Sequence, residues 1–260
     1  AGNLNTDTQT NVAWCWKANG GTTTSGAGND TIATSTHQAS TTSGFSIVTY
    51  TGEEANKTVK HGLSTALDML LVKNRNSTKD WRMWFKGFSG TQRLELNNNE
   101  ARATTSTSWN GTVPGSSVFS LGDDTNTNTD GDNFIAYCFH SVKGFSSFGK
   151  YIGNGNNNGP FLYTGFKPAL FFRKRTDGAN NWNIWDNKRT PFNEMHASSA
   201  INTADAEDAN TDYNDIDFLS NGIKIHDTGD SHNGSDMNYV YGAFAEHPFV
   251  SSEGIPCTAR

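Results

Sequence analysis

The most oxygen-rich stretch of the sequence is residues 123 to 133, which read DDTNTNTDGDN. Four of its side chains occupy alternate positions: Asp124, Asn126, Asn128 and Asp130. Hard cations such as Ca²⁺ bind six to eight oxygens, and alternating oxygen ligands are typical of calcium loops. These four residues are therefore candidate ligands for Ca²⁺, a cofactor that the predicted function does not require. The alternative is a solvated hairpin loop, because Tyr137 stands where an EF-hand loop has its bidentate Glu.

Two further polar stretches carry weaker metal signals. Residues 227 to 236 read DTGDSHNGSD, and His226 and His232 lie beside or within them. Two histidines without a third ligand do not make a zinc site, so we interpret both as surface residues. The acidic stretch from Asp205 to Asp217 is interpreted as a solvated loop.

Catalytic patterns are not found in the sequence. A sandwich-type glycosidase needs two carboxylates across a cleft, yet Glu95 and Glu246 each stand alone on a predicted strand. Asp215 and Asp217 do alternate, but they lie beside a loop that contains many other acids. No nucleophile elbow or phosphate-binding loop is present. The sequence therefore predicts a protein that is not an enzyme.

Aromatic residues offer a second route to ligand binding, because sugar rings stack on exposed indoles. Five of the seven tryptophans recur at matching positions in predicted strands, which favours a role in core packing. Trp109 lies in the predicted loop STSWNGTVPG. We therefore expect Trp109 to be an exposed platform for a ligand.

Three strands of similar pattern must position these groups. They are predicted at residues 12 to 18 (VAWCWKA), 134 to 145 (FIAYCFHSVKGF) and 240 to 249 (VYGAFAEHPF). Apolar residues recur at every second position in each, which is the period of a β-strand with two different faces.

The material between these strands is duplicated. Trp81 and Trp84 match Trp182 and Trp185 at a separation of 101 positions, Phe119 to Leu121 match Phe218 to Ser220 at 99, and Phe139 matches Phe244 at 105. We therefore expect an internal repeat of about 100 residues, with units 12–134 and 135–249 inside one domain of residues 11–260. Residues 1–10 form a predicted linker and residues 250–260 a tail.

About fourteen strands are predicted, among them residues 45–51, 118–121, 161–163 and 216–219. With little helix, they favour two packed antiparallel sheets. The predicted fold is an all-β, concanavalin- or jelly-roll-like antiparallel β-sandwich. Two tandem small sandwiches are the alternative. Residues 191 to 210 are the one stretch with some helical propensity, so a short helix or an acidic loop is expected there.

Charge and hydropathy exclude several classes of partner. The net charge is −6 and no Lys/Arg cluster forms a basic face, so nucleic-acid binding is not expected. No apolar run reaches the roughly 18 to 20 residues that span a bilayer, so no membrane insertion is expected. Three cysteines cannot all pair. Cys15 and Cys138 are interpreted as small buried residues, with a bridge between them as the alternative.

Several segments together resemble the C-terminal domain of marine bacteriophage tail-fibre or tail-spike-type proteins. They are FSIVTYTG, GDNFIAYCFHSVKGFSSFGKYIGNG, GPFLYTGFKPA, DFLSNGIKI and YGAFAEHPF followed by a terminal TAR. The resemblance covers residues 12 to 260 and carries no catalytic motif. It implies a structural adsorption module on the virion surface, assembled in the host cytoplasm among other tail proteins and often homotrimeric.

The resulting functional hypothesis is a lectin-like, receptor-binding domain that recognises a host cell-surface glycan or an outer-membrane receptor. Its alternatives are a polysaccharide depolymerase and a purely structural virion decoration or fibre protein. The loops that the duplication does not match are where a binding site is expected, because loops on a rigid scaffold most often carry function.

Overall fold

The computed structural model describes residues 11–26, 30–208 and 216–248. The predicted linker 1–10 and tail 250–260, including Cys257, lie outside the described residues. Eighteen strands and one four-residue helix, α1 (Thr125–Asn128), form the described part. The strands of the first half are β1 (Thr24–Ser25), β2 (Ser35–Ser40), β3 (Phe45–Thr51), β4 (Lys57–Lys60), β5 (Met69–Asn74), β6 (Arg82–Phe85), β7 (Gln92–Glu95), β8 (Ala103–Thr104), β9 (Val118–Leu121) and β10 (Asn133–Phe139). Those of the second half are β11 (Ser146–Ile152), β12 (Phe161–Tyr163), β13 (Pro168–Arg175), β14 (Asn183–Asp186), β15 (Ser198–Ala200), β16 (Ile216–Leu219), β17 (Gly222–Ile225) and β18 (Asn238–Ala245).

The strands form two large and two small antiparallel sheets. The first large sheet has the order β1-β2-β3-β10-β5-β6-β7-β8, and the second has the order β11-β18-β13-β14-β15. The small sheets are β4-β9 and β12-β17-β16. The predicted all-β, antiparallel, sandwich-type fold is confirmed.

The two large sheets repeat one strand order. β3, β10, β5, β6 and β7 of the first correspond to β11, β18, β13, β14 and β15 of the second. The same register supports this, because Phe139 pairs with Met69 in one sheet and Phe244 with Leu170 in the other. We call β1–β10 the first copy and β11–β18 the second copy.

The copies meet through the inner faces of their large sheets. Phe85 packs against Phe172 and Trp182, with ring centroids 6.5 and 6.0 Å apart. Phe139 of the first copy likewise contacts Phe148 and Phe244 of the second, at 5.6 and 6.1 Å. Each large sheet carries its small sheet on its other face, so alternating side chains pack into two different cores.

The backbone N–H groups of the duplicated Trp81 and Trp182 make equivalent hydrogen bonds, but the two side chains differ in burial. The backbone N–H of Trp81 donates to Asn97 Oδ1 at 2.8 Å, and that of Trp182 donates to Asn202 Oδ1 at 2.8 Å. Trp182 is fully buried because it lies between the copies, where its indole N–H donates to the carbonyl of Glu95. Trp81 stays half-buried.

The unit boundary expected between residues 134 and 135 is wrong. β10 pairs along its length with β3 and β5, so this strand completes the first copy rather than opening the second. The second copy begins at β11. The match of Phe119 to Phe218 is also wrong. Val59 is equivalent to Leu162, and Val59 pairs with Phe119 while Leu162 pairs with Ile223, so Phe119 corresponds to Ile223.

The first predicted strand, residues 12–18, is also wrong, and of the two alternatives for residues 191–210 the short helix is not formed in the described part. Residues 12–18 belong to no strand, and Trp16 lies against Phe139 and Phe244 at the junction of the copies. The described part of 191–210 forms β15 and turns. Cys15 is exposed and Cys138 is buried, and both are free thiols. The alternative Cys15–Cys138 bridge is therefore not formed.

Candidate functional site

The predicted calcium loop is used for internal hydrogen bonding. Residues 125–128 form α1, so Asn126 and Asn128 no longer share a face as they would on a strand. The buried Asn128 donates from Nδ2 to the carbonyls of Ala55 and Gly122 at 2.7 Å and accepts the N–H of Glu53 at 3.0 Å.

Asp124 caps α1 and is the acid of a buried polar cluster. Its carboxylate accepts hydrogen bonds from Ser108 Oγ, from the backbone and side-chain nitrogens of Asn126 at 2.9 and 2.8 Å, and from Arg82 Nε at 3.3 Å. Burial alone would raise the pKa of Asp124, but these donors and the Arg82 charge outweigh it and lower the pKa. Asp130 is exposed at the end of the loop. The arrangement stabilises the fold, and the four hydrogen bonds that Asp124 accepts occupy its carboxylate.

The histidines of the second polar stretch also lie apart. His232 is buried, and its ring accepts from the guanidinium of Arg173, which lies over the ring of Trp185. Burial, then the Arg173 charge, hold the pKa of His232 well below its usual value. The interpretation of His232 as a surface residue is therefore wrong. Among the described residues, no three His, Cys, Asp or Glu side chains are grouped as a metal would require.

The expectation that Trp109 is an exposed platform is wrong. Its side chain is 0% exposed, and its indole N–H donates to the carbonyl of Gln92 at 3.2 Å. Trp109 belongs to the core of the first copy. A large aromatic residue in a polar loop often folds back onto the core, because burying its ring stabilises the loop.

Exposed aromatic rings occur elsewhere, on the small sheet of the second copy. β12 reads Phe-Leu-Tyr: Leu162 points into the core, while Phe161 and Tyr163 are 45% and 66% exposed. Large apolar residues at both alternating positions require either burial on both faces or one exposed apolar face. That pattern was the signal in the sequence, which predicted strand 161–163 but did not single out its rings.

The neighbouring strands complete a flat surface of aromatic and polar groups. One cross-strand row consists of Phe161, Lys224 and Asp217, and the next consists of Tyr163, Gly222 and Leu219. We call this surface the aromatic face. Strands lie about 4.8 Å apart, so it is about 10 Å wide.

Gly222 is required at the centre of the aromatic face. A Cβ atom at this position would lie 2.8 Å from the ring of Phe161 and 2.3 Å from the carbonyl oxygen of Leu162. The glycine therefore lets the Phe161 ring lie close against the sheet and keeps the surface flat.

The polar groups of the aromatic face provide both donors and acceptors. Asp217 Oδ2 accepts from His226 Nε2 at 2.9 Å, while Asp217 Oδ1 is buried and has no hydrogen-bond partner in the described structure. The ammonium of Lys224 donates to Asn158 Oδ1 at 2.6 Å and to the carbonyl of Gly159. Apolar rings thus lie beside fixed hydrogen-bonding groups.

The first copy lacks these rings. Because Val59–Phe119 corresponds to Leu162–Ile223, Thr58 and Lys60 occupy the positions of Phe161 and Tyr163. The fold therefore forms with small or charged residues there, and folding alone does not require the aromatic pair.

Comparison with known proteins gives one match. The domain of unknown function DUF7483 matches residues 1–248. No curated protein and no solved structure matches the chain. Within the described ranges, the one α-helix has four residues and is far too short to span a membrane. Because the match covers almost the whole sequence, the chain belongs to the DUF7483 family.

Proposed function

We propose that this domain is a carbohydrate-binding module and that the aromatic face of the second copy is its binding surface. The observation that carries the proposal is the exposure of Phe161 and Tyr163 at positions where the first copy has Thr58 and Lys60. Two large rings exposed on one short strand indicate a surface that contacts a partner.

The chemistry of the face favours a glycan as that partner. A sugar ring has an apolar face of C–H groups, which packs on aromatic rings, and a rim of hydroxyls, which donate and accept hydrogen bonds. Phe161 and Tyr163 offer the rings, while Lys224 and the Asp217–His226 pair place hydrogen-bonding groups beside them. A purely apolar partner would leave these polar groups without hydrogen bonds on binding.

The biological setting that we propose follows from the resemblance to phage tail-fibre domains. The domain would lie on the virion surface in a homotrimeric fibre with other tail proteins and bind a glycan or receptor of the host envelope. It would bind without cleaving, because Asp217 is the one carboxylate among the described residues of the aromatic face, where a glycosidase needs two.

A glycan array followed by calorimetric titration tests the proposal. We expect the whole protein to bind a subset of bacterial surface glycans and Phe161→Thr/Tyr163→Lys, which installs the residues of the first copy, to lose at least about tenfold in affinity. Ile152→Thr is the matched control. Its side chain is 60% exposed and points to the opposite side of its sheet from the buried Tyr151.

Three outcomes would contradict the proposal. Equal glycan binding by the double variant would show that the aromatic face does not take part in recognition. Release of new reducing ends from a host polysaccharide would show that the protein is a depolymerase. Failure to bind any glycan or cell would favour a purely structural role.

A further inference from the structure

A concave site lies away from the aromatic face, where loops of the first copy meet the segment that leads into β11. It is a cleft of about 370 Å³, lined by residues 65–68, 86–87, 113–114 and 140–141 together with the buried Trp84. We call it the junction cleft. Its walls are apolar at Leu67, Val113 and Pro114, and its charged groups gather at one side.

An ion pair within the cleft is fixed by the backbone. Asp68 is 6% exposed; one carboxylate oxygen accepts the N–H of Ser141 at 2.7 Å, and the other accepts Lys86 Nζ at 2.9 Å. The Lys86 side chain itself is 64% exposed. The ammonium is therefore held at a defined place while still open to solvent.

The second copy shows that the fold does not need this ion pair. The backbone N–H of Lys86 donates to the carbonyl of Asp68 at 2.7 Å, and the equivalent bond joins Asn187 to Ala169 at 3.0 Å. The same backbone bond therefore forms with two uncharged side chains. Folding therefore does not explain why the first copy has charged side chains at Asp68 and Lys86.

A third charged group lies beside the cleft. The ammonium of Lys150, on β11 of the second copy, is 3.4 Å from the carbonyl of Gly87, which lines the cleft. Gly87 has a φ of +82°, which favours glycine, and a Cβ there would lie 2.6 Å from Lys150 Nζ, so the lysine lies directly over this residue. No ion pair involves Lys150 in the described part of the chain.

We propose that the junction cleft binds the carboxylate group of a small organic acid, such as a sugar acid, between Lys86 and Lys150. Asp68 neutralises one of the two ammonium groups, so the site has about one net positive charge and matches a singly charged anion. The apolar wall would contact the body of the ligand. His140, whose ring Nδ1 lies 3.0 Å from the Ser141 carbonyl, faces the same cleft.

Titration of the isotope-labelled whole protein with sodium D-glucuronate, followed by NMR, tests this site. We expect saturable shifts at Gly87, Ser141 and Lys86. Neutral D-glucose, which lacks the carboxylate, should give none there, and acetate, which lacks the sugar body, should bind more weakly. The exchanges Lys86→Asn and Lys150→Thr, which install the residues of the other copy, should together weaken binding about tenfold or more.

The outcomes separate this site from the aromatic face. Phe161→Thr/Tyr163→Lys should leave glucuronate binding at the cleft unchanged, whether or not it abolishes glycan binding. Both lysines are on the surface, so loss of folding is checked by thermal unfolding of each variant. Absence of saturable shifts, equal shifts with glucose, or undiminished glucuronate binding by the two lysine variants would overturn the proposal.

Discussion

Asp124→Asn tests whether the oxygen-rich loop stabilises the fold or holds a cation. The exchange keeps the shape of the side chain and removes its charge. It also replaces one acceptor oxygen by an NH₂ group, which would face the donors Ser108 or Asn126. The guanidinium of Arg82 keeps Glu95 as its second partner.

The expected loss follows from these contacts. Breaking a buried ion pair by removing one partner costs about 3–5 kcal/mol. In D124N, Glu95 still neutralises part of the Arg82 charge. We therefore expect D124N to lose about 3 kcal/mol of unfolding free energy at pH 7. Because the pKa of Asp124 is lowered in the folded state, the carboxylate stabilises the fold above its unfolded pKa of about 4. This stabilisation is lost as the pH falls through the folded pKa, so the difference from D124N should narrow.

Urea denaturation followed by tryptophan fluorescence measures the effect, with a lower midpoint and an unchanged slope expected. Asp130→Asn is the matched control, because Asp130 is exposed in the same loop and should change stability by less than about 0.5 kcal/mol. A loss below 1 kcal/mol in D124N would refute the reasoning. So would Ca²⁺ raising the stability of the native chain but not of D124N.

Three further predictions concern the buried polar groups. Burial lowers the pKa of His61 to about 4, so the unfolded chain takes up a proton at a higher pH than the folded chain. The free energy of unfolding should therefore fall by on the order of 3 kcal/mol as the pH drops from 6.5 to 4. The dependence of the urea midpoint on pH should be weaker in His61→Asn. Asn128→Ala and Asn233→Ala, which remove equivalent buried amides from the two copies, should each cost about 3 kcal/mol in urea unfolding, and a loss confined to one copy would argue against their equivalence. Trp182→Phe should cost about 1–3 kcal/mol by leaving the Glu95 carbonyl unpaired between the copies, whereas an unchanged unfolding midpoint would show that this bond is not needed.

Strand positions were predictable wherever alternation was strong. The sequence predicted residues 45–51, 118–121, 161–163 and 216–219 as strands, and β3, β9, β12 and β16 have these bounds. For residues 19–42 the sequence predicts a long loop or a weak edge hairpin, and β2, whose sequence STHQAS contains no large apolar residue, forms that hairpin with β1 at the edge of the first sheet. Its Ser35 and His37 are nevertheless buried, because pairing with β3 and packing decide the strand where propensity does not.

The sites were less predictable than the fold. Alternation in residues 124–130 suggested one ligand-bearing face, but α1 changed the period. The side chains that hold its N-cap Asp124 in place, Ser108 and Arg82, lie far away in sequence. The surroundings of Trp109 depend on where its loop packs, which local pattern does not encode. The Phe-Leu-Tyr pattern of β12 permits burial on both faces as well as one exposed face, and only the structure decides between them.

The most direct test of glycan recognition is an NMR titration of the labelled protein with an oligosaccharide selected from the array. We expect the largest shifts at Phe161, Tyr163, Gly222 and Lys224, and we expect them to vanish in Phe161→Thr/Tyr163→Lys while Ile152→Thr keeps them. Shifts confined to other surfaces, or an undiminished response of the double variant, would contradict carbohydrate binding on the aromatic face.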